Sequence, residues 1–423
     1  MPPNPTPPPA NDQPGAGSPP PTLPATGRQA GGLRQLVAVL LSLFAGLFMV
    51  DGILSLADDS LILGWGAHLL SVFRGVSSFL VLFLSAGLYG LMGLTPLIPK
   101  RWFLPLVLFT PASFLVVIPA AIYGYERMQL VGWLISVGQV VLGLVIVRGL
   151  LGGFKFRWPL VAGERLGGRN FSWRNLWVFV GVNVFGVLPL VVGGLFLSAA
   201  LAVDHFSEGF MALHPGGFTV QVRKYVRSDG KTIELFPMSH VADAGFYQKV
   251  SETFPTNSII LMEGVTDEHN LLTNKISYKR MAKSLGLSEQ KEEFVPRRGE
   301  RVRADVDVDV FSAETLKLLN LVMRFHAAGV SPEMVQEVMQ YSPPPHFEDR
   351  LLEDLVTKRN QHLLAEIQSH LPESDNIMVP WGVAHMPGIA REIQKTGFHL
   401  EGTREYVVIR FGGGERRARD AGK

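Results

Sequence analysis

Residues 175–203 read NLWVFVGVNVFGVLPLVVGGLFLSAALAV, a run without one charged side chain, and Asp204 and His205 end it. A helix needs roughly 20 mainly apolar residues to cross the hydrocarbon core of a bilayer, so this run is long enough to span one. It also divides the chain into halves of different composition. Working back towards the N-terminus, comparable runs occur at 35–57, 75–98, 102–124 and 128–149. The expected fold is therefore an all-α membrane bundle of five transmembrane helices over 34–204, followed by a separate domain. Overall composition agrees: 47% of the 423 residues are hydrophobic and only 18% charged, against roughly a quarter charged in ordinary soluble domains. The 39 basic and 37 acidic residues leave a net charge of +2, too close to balance for a nucleic-acid partner. The lipid bilayer comes first among partners. With no cysteine, disulfides, zinc ribbons, iron–sulfur clusters and a thiol nucleophile are excluded, and any metal must be held by His and carboxylates.

Between those limits the basic residues fall unevenly. Arg28, Arg34, Lys100, Arg101, Arg148, Lys155, Arg157, Arg165, Arg169 and Arg174 lie on one side, Arg74 and Arg127 on the other. The positive-inside rule then puts the N-terminus in the cytoplasm, and five spans put the C-terminal domain outside an inner-type cytoplasmic membrane. Asp51 is the one ionisable residue well inside a span. It reads as a side chain near the outer end of a tilted first helix that reaches the interface, because no carboxylate, Lys or His in another span offers it a relay partner. A transporter or channel is disfavoured on the same ground. Residues 1–33 carry eleven of the 29 prolines and almost no large apolar side chain, which predicts a disordered spacer. It lacks the basic start and apolar run of a signal peptide. Residues 413–423 read as a basic, solvated tail.

Residues 205–412 are long enough for one sizeable core. Strand patterns at 218–225 and 232–235 flank Ser228-Asp229-Gly230, a hairpin signature, and His240 follows. Helical spacing over 242–254 leads to the apolar strand 258–265, SIILMEGV, which brings Glu263 to a strand end. Further helical patterns cover 278–285, 313–328, 332–340 and 347–368. A buried strand at 376–381 runs into Gly382-Val383-Ala384-His385 and a helix beginning at Met386. The fold class is α/β with a mixed sheet, helices on both faces and an antiparallel edge from the hairpin. Ligands bind such sheets at the carboxyl ends of their strands, where His240, Glu263 and His385 fall. Asp305, Asp307 and Asp309 alternate, predicting one polar face of an edge strand with Asp305 as a further ligand candidate. His346, after three prolines, reads as a loop end.

The order IELFPMSH (233–240), IILME (259–263), Arg359-Asn360 and WGVAHMPGI (381–389), with ADVDVDVFSAETL (304–316) and LGLSEQ (285–290) between, resembles the TraB/PrgY/GumN and Tiki superfamily. That resemblance covers about half the chain. Its members carry two Gly-x-x-His motifs, a Glu after the second strand and an Arg-Asn pair on a long helix. GVAH matches in full, whereas Pro237 stands where the first motif has Gly. The resemblance implies an extracytoplasmic, metal-dependent hydrolase of the peptidase class, with manganese or cobalt as the divalent metal and a peptide or protein substrate. His240, Glu263 and His385 would be its ligands. Glu263 would alternatively act as general base, and Arg359 would steady developing oxyanion charge. Such a set is chemically coherent: imidazoles and a carboxylate hold a divalent ion that activates water. PrgY-like members imply the alternative, a non-enzymatic regulator that binds or sequesters a secreted peptide. From its own helix alone, Arg359 could instead pair with Glu353 or Asp354.

Overall fold

A computed structural model describes residues 27–153, 157–163, 166, 169–273, 277–328 and 346–412. The expectations for most of the proline-rich segment, for a helix at 332–340 and for the tail at 413–423 lie outside the described residues. The chain divides into two compact units, Met1–Pro189 and Leu190–Lys423.

Five described helices are long and apolar enough to cross a membrane. They are α1 (Gly27–Trp65), α2 (Ser71–Leu94), α3 (Lys100–Tyr123), α4 (Met128–Leu151) and the run Trp173–Phe206, which comprises α5 (Trp173–Val182), a π-turn (Asn183–Val187) and α6 (Leu188–Phe206). Leu41, Phe44, Phe48, Val81, Phe103, Leu106 and Ile146 form the shared core of the first four. The most apolar window of the fifth run buries none of its residues.

The first span is longer than the hydropathy pattern implies, and this corrects the reading of its acidic residues. α1 continues two turns past residue 57, so Asp58 and Asp59 lie within it, each about 1% exposed. Asp59 pairs with Arg74 of α2 and accepts from Ser136 Oγ at 2.7 Å, while Ser71 Oγ donates to Asp58 at 3.0 Å. Asp51 does not point outward from the helices, contrary to the expectation from sequence. It is buried and accepts hydrogen bonds from Ser77 Oγ at 2.6 Å, Ser78 Oγ at 2.7 Å and Gln139 Nε2 at 2.8 Å. Residues 51, 55, 58 and 59 recur at helical spacing and face α2 and α4 as one polar stripe. The hydropathy pattern hid this stripe, because Ser and Gln count as unremarkable in a span although they supply the donors a buried carboxylate needs.

The second unit contains a seven-stranded mixed sheet. Its strands are β1 (Met211–His214), β2 (Gly217–Val226), β3 (Thr232–Met238), β5 (Ile259–Met262), β7 (Glu300–Arg303), β8 (Asn376–Gly382) and β9 (His399–Arg410). β2 pairs antiparallel with β1, β3 and β9. β3 pairs parallel with β8, β8 with β5, and β5 with β7. Four parallel strands thus end on the same side. A two-stranded ribbon of β4 (Val241–Ala242) and β6 (Ser288–Glu289) stands apart. The predicted hairpin closes through Gly230 at φ 84°, a conformation that favours glycine. The long edge strand β9 was not anticipated, although its Tyr406-Val407-Val408-Ile409 run carries strand-forming residues.

Alternation along the strands separates two cores. Ile233, Leu235, Ile259, Leu261, Ile377, Val379 and Trp381 point to one face. That face is covered by α12 (Lys358–His370) through Leu363 and Ile367, and by α13 (Met386–Lys395) through Ile389 and Ile393. Phe236, Met238, Ile260 and Met378 point to the other, against Phe246, Tyr247 and Val250 of α7 (Ala244–Glu252). Helices therefore lie on both faces, as expected. The short helices α8 (Lys279–Ser284) and α9 (Gln290–Glu293) flank β6, and α10 (Ala313–Ala328) and α11 (Phe347–Leu352) lie between β7 and α12. α11 and α12 are joined by a π-turn at Glu353–Thr357, so the predicted helix at 347–368 is one interrupted run; His346 is the residue just before it.

Candidate active site at the carboxyl ends of the parallel strands

Each of the four parallel strands delivers a polar side chain within three residues of its end. His240 follows β3, Glu263 follows β5, Asp305 follows β7 and His385 follows β8. A side chain just past a parallel strand leaves the layer of ladder hydrogen bonds and can turn across the sheet top, which is why such ends collect ligand-binding groups. Arg359 and Asn360, at the first turn of α12, approach the same place.

Arg359 is the hub. Its Nε and Nη2 donate to Asp305 at 2.9 and 2.6 Å, a bidentate pair with a carboxylate whose side chain is fully buried. Nη2 also donates to Glu263 Oε1 at 2.9 Å, and Nη1 donates to His385 Nε2 at 3.1 Å. The guanidinium carbon lies 5.3 Å from the centroid of the buried Trp381 ring, whose Nε1 is anchored on the Leu261 carbonyl at 2.9 Å. Arg359 does not pair with Glu353 or Asp354; Lys358 takes Asp354 instead, at 2.7 Å.

The two residues facing Arg359 are each held from behind. Glu263 Oε2 accepts from the Gly382 N–H at 2.7 Å, leaving Oε1 turned inward. His385 Nδ1 donates to Asn360 Oδ1 at 2.7 Å. This places the proton on Nδ1 and directs the Nε2 lone pair into the site, the tautomer that a second-sphere carbonyl imposes on a ligating imidazole. Burial pushes the His385 imidazole down to about 4, against the opposing pull of Glu263 and with a further downward push from Arg359. It is neutral at physiological pH. Asn360 is in turn confined by Gly388, where an added Cβ would come within 2.7 Å of Asn360 Nδ2. The glycine of the MPGI turn thus allows α13 to approach α12 closely.

His240 makes no direct bond to this group, although its charge reaches His385. His240 is exposed, and its ring stacks on Tyr278 with centroids 4.7 Å apart and planes within 7°. Tyr278 lies close enough to Glu263 to feel its charge: burial raises the phenol above its ordinary range, and Glu263 and Glu289 add to the shift. Glu263, His385 and Arg359 are therefore brought together, with His240 at the rim behind Tyr278. Tyr278 was missed, since a lone aromatic at a helix start carries no distinctive spacing, and Asn360 was singled out only as half of the Arg-Asn pair, with no role given to it.

The aspartate series departs from expectation. Asp305, Asp307 and Asp309 do not share a strand face, because β7 ends at Arg303. Asp305 turns inward to Arg359 and also accepts from the Gly264 N–H at 2.9 Å. Asp307 accepts from Thr266 Oγ1 at 2.7 Å and caps the 3-10 turn Val308–Val310. Asp305 and Asp307 are thus satisfied by separate donors on different parts of the loop. Among the described residues, the one group of three candidate ligands with atoms all within 4.8 Å is His269, Asp307 and Asp309, on the surface; exposed acidic groups of this kind are common without an ion.

No family model matches the chain, and neither the curated proteins nor the solved structures give a significant match.

The donor chemistry at Glu263 and His385 nevertheless fits a divalent ion. Glu263 Oε1 and His385 Nε2 are 3.7 Å apart, and two atoms each roughly 2.0–2.2 Å from one ion can be up to about 4 Å apart. One is a carboxylate oxygen and the other a neutral, pre-oriented imidazole nitrogen.

Proposed function

We propose that this protein is a membrane-anchored, metal-dependent hydrolase of the peptidase class. Its α/β domain would lie on the extracytoplasmic side, with the N-terminus in the cytoplasm. The observation that supports the reading best is the convergence of Glu263, His385, Arg359 and Asp305 at the ends of parallel strands, with the far atom of each candidate ligand already anchored. Glu263 and His385 would hold the ion, manganese or cobalt by the resemblance described above, with His240 as a third ligand from the rim. A bound divalent ion supplies Lewis acidity towards water and a substrate carbonyl. Glu263 would alternatively serve not as ligand but as the general base that takes a proton from attacking water, and Arg359 offers a buried positive charge for developing oxyanion charge. The ten-to-two bias of basic residues between alternate loops supports the orientation.

The test is hydrolysis of a peptide library by the purified full chain, with manganese or cobalt added after chelation. Glu263→Gln and His385→Ala are expected to abolish metal-dependent cleavage while the domain stays folded. Full cleavage by both variants would remove the assignment. Metal-independent peptide binding that survives both substitutions would favour the non-enzymatic regulator instead.

A further inference from the structure

The same guanidinium covers both inward-facing ligand atoms. Glu263 Oε1 receives Arg359 Nη2 at 2.9 Å and His385 Nε2 receives Arg359 Nη1 at 3.1 Å. The second nitrogen of His385 cannot substitute, because it carries the proton given to Asn360, and the second oxygen of Glu263 is turned outward onto the Gly382 N–H. An ion taken up by these two groups must therefore displace Arg359 from His385 Nε2, whose single lone pair it occupies, and compete with it for Glu263 Oε1. Arg359 would not be stranded by that displacement. Its strongest partner is Asp305, bonded through Nε and Nη2, on the other side of the guanidinium from the Arg359 Nη1 contact with His385 Nε2.

We infer that Arg359 is a built-in competitor for the divalent ion: it caps Glu263 and His385 in the metal-free protein and withdraws onto Asp305 when the ion enters. The inference rests on the metal-site reading above and adds what sets its affinity. Two physical terms act in the same direction. A positive charge within a few ångström of a dication opposes its binding, most strongly where the surroundings are poorly solvated. In addition, the ion must replace the hydrogen bond at His385 Nε2 and compete with the charge-assisted one at Glu263 Oε1. Asp305 works the opposite way, since it is the alternative partner that draws the guanidinium off the ligands. The balance between Glu263 plus His385 and Asp305 thus decides how readily the site loads, and it gives removal of Arg359 and removal of Asp305 effects of opposite sign.

The test is direct titration of the chelator-treated full chain, in detergent, with cobalt(II), following the visible absorption of the bound ion and checking stoichiometry by elemental analysis. Arg359→Met keeps the side-chain length and removes the charge; it is expected to bind cobalt at least roughly tenfold more tightly than wild type. Asp305→Asn, which removes the charge that draws the guanidinium away from Glu263 and His385, is expected to bind more weakly. A wild type that binds cobalt while Arg359→Met binds equally or less tightly would overturn the competitor role and leave the metal site standing. Absence of stoichiometric cobalt from wild type and Arg359→Met alike would overturn both readings. If Arg359→Met alone fails to fold, the Asp305→Asn/Arg359→Met double variant, which removes the ion pair as a unit, carries the same comparison: tighter binding than wild type supports the inference, and equal or weaker binding refutes it.

Discussion

Replacing Asp305 by Ala tests whether the Arg359 cluster holds the α/β domain together as well as shaping its site. Asp305 has a fully buried side chain, bonds Arg359 through both oxygens, and caps the Gly264 N–H. Removing one partner of a buried ion pair costs about 3–5 kcal/mol, because the survivor remains desolvated and unpaired. Here the survivor keeps Glu263 and is 13% exposed, so the lower end, about 3 kcal/mol, is appropriate. For a unit of this size each kcal/mol moves the melting temperature by roughly 2–4 °C, which gives a fall of about 6–12 °C. The assay is the temperature at which the domain, within the detergent-solubilised full chain, yields to a brief pulse of protease. The Asp305→Asn/Arg359→Met double variant should lose less than Asp305→Ala, since it leaves no stranded guanidinium. A melting temperature for Asp305→Ala within about 2 °C of wild type would refute the reasoning, for the pair would then be replaceable by solvent.

Two further outcomes follow from the same geometry. His385 is held neutral with its imidazole pushed down to about 4 by burial, whereas an unfolded imidazole titrates near 6.5. The unfolded chain therefore binds the extra proton first, so stability is full above pH 6.5 and falls as the pH drops towards 4, by about 3 kcal/mol from this group. Unfolding measured across that range should show the decline in wild type and a flatter curve in His385→Gln; identical slopes would count against a buried neutral imidazole. In the helical unit, Asp51→Ala removes three hydrogen bonds from Ser77, Ser78 and Gln139, which at roughly 0.6 kcal/mol per intramembrane bond amounts to about 2 kcal/mol. Thermal aggregation in detergent should shift down accordingly relative to Leu130→Ala, an exposed apolar position, and equal stability of the two variants would show that the polar stripe does not contribute.

The candidate site was partly readable from linear order alone. His240, Glu263 and His385 each stand beside a strand signal, and any parallel α/β sheet sends such residues to one side. Their relative depth was not readable. His385 is buried because α13 begins immediately beneath it and Asn360 orients its ring, whereas His240 is followed by a two-residue strand that turns away into the β4–β6 ribbon and leaves the ring at the surface against Tyr278. Asp305 looked like one of three equivalent aspartates until the end of β7 at Arg303 broke the alternation.

By itself the amino-acid sequence determined the five apolar spans, the change of character near residue 204, and the alternation of helix and strand in the α/β domain. These depend on periods of hydrophobicity within twenty residues or so, and burial of apolar surface enforces them locally. Only the tertiary structure decided which polar groups meet. The Arg359–Asp305 and Arg359–Glu263 pairs join residues 54 and 96 positions apart, and Asp51 meets Gln139 across 88. A charge or hydroxyl has no preferred partner in the linear chain; its partner is whatever the packed helices and sheet bring within about 3 Å once water has been excluded, and the cost of leaving it unpaired there selects the arrangement.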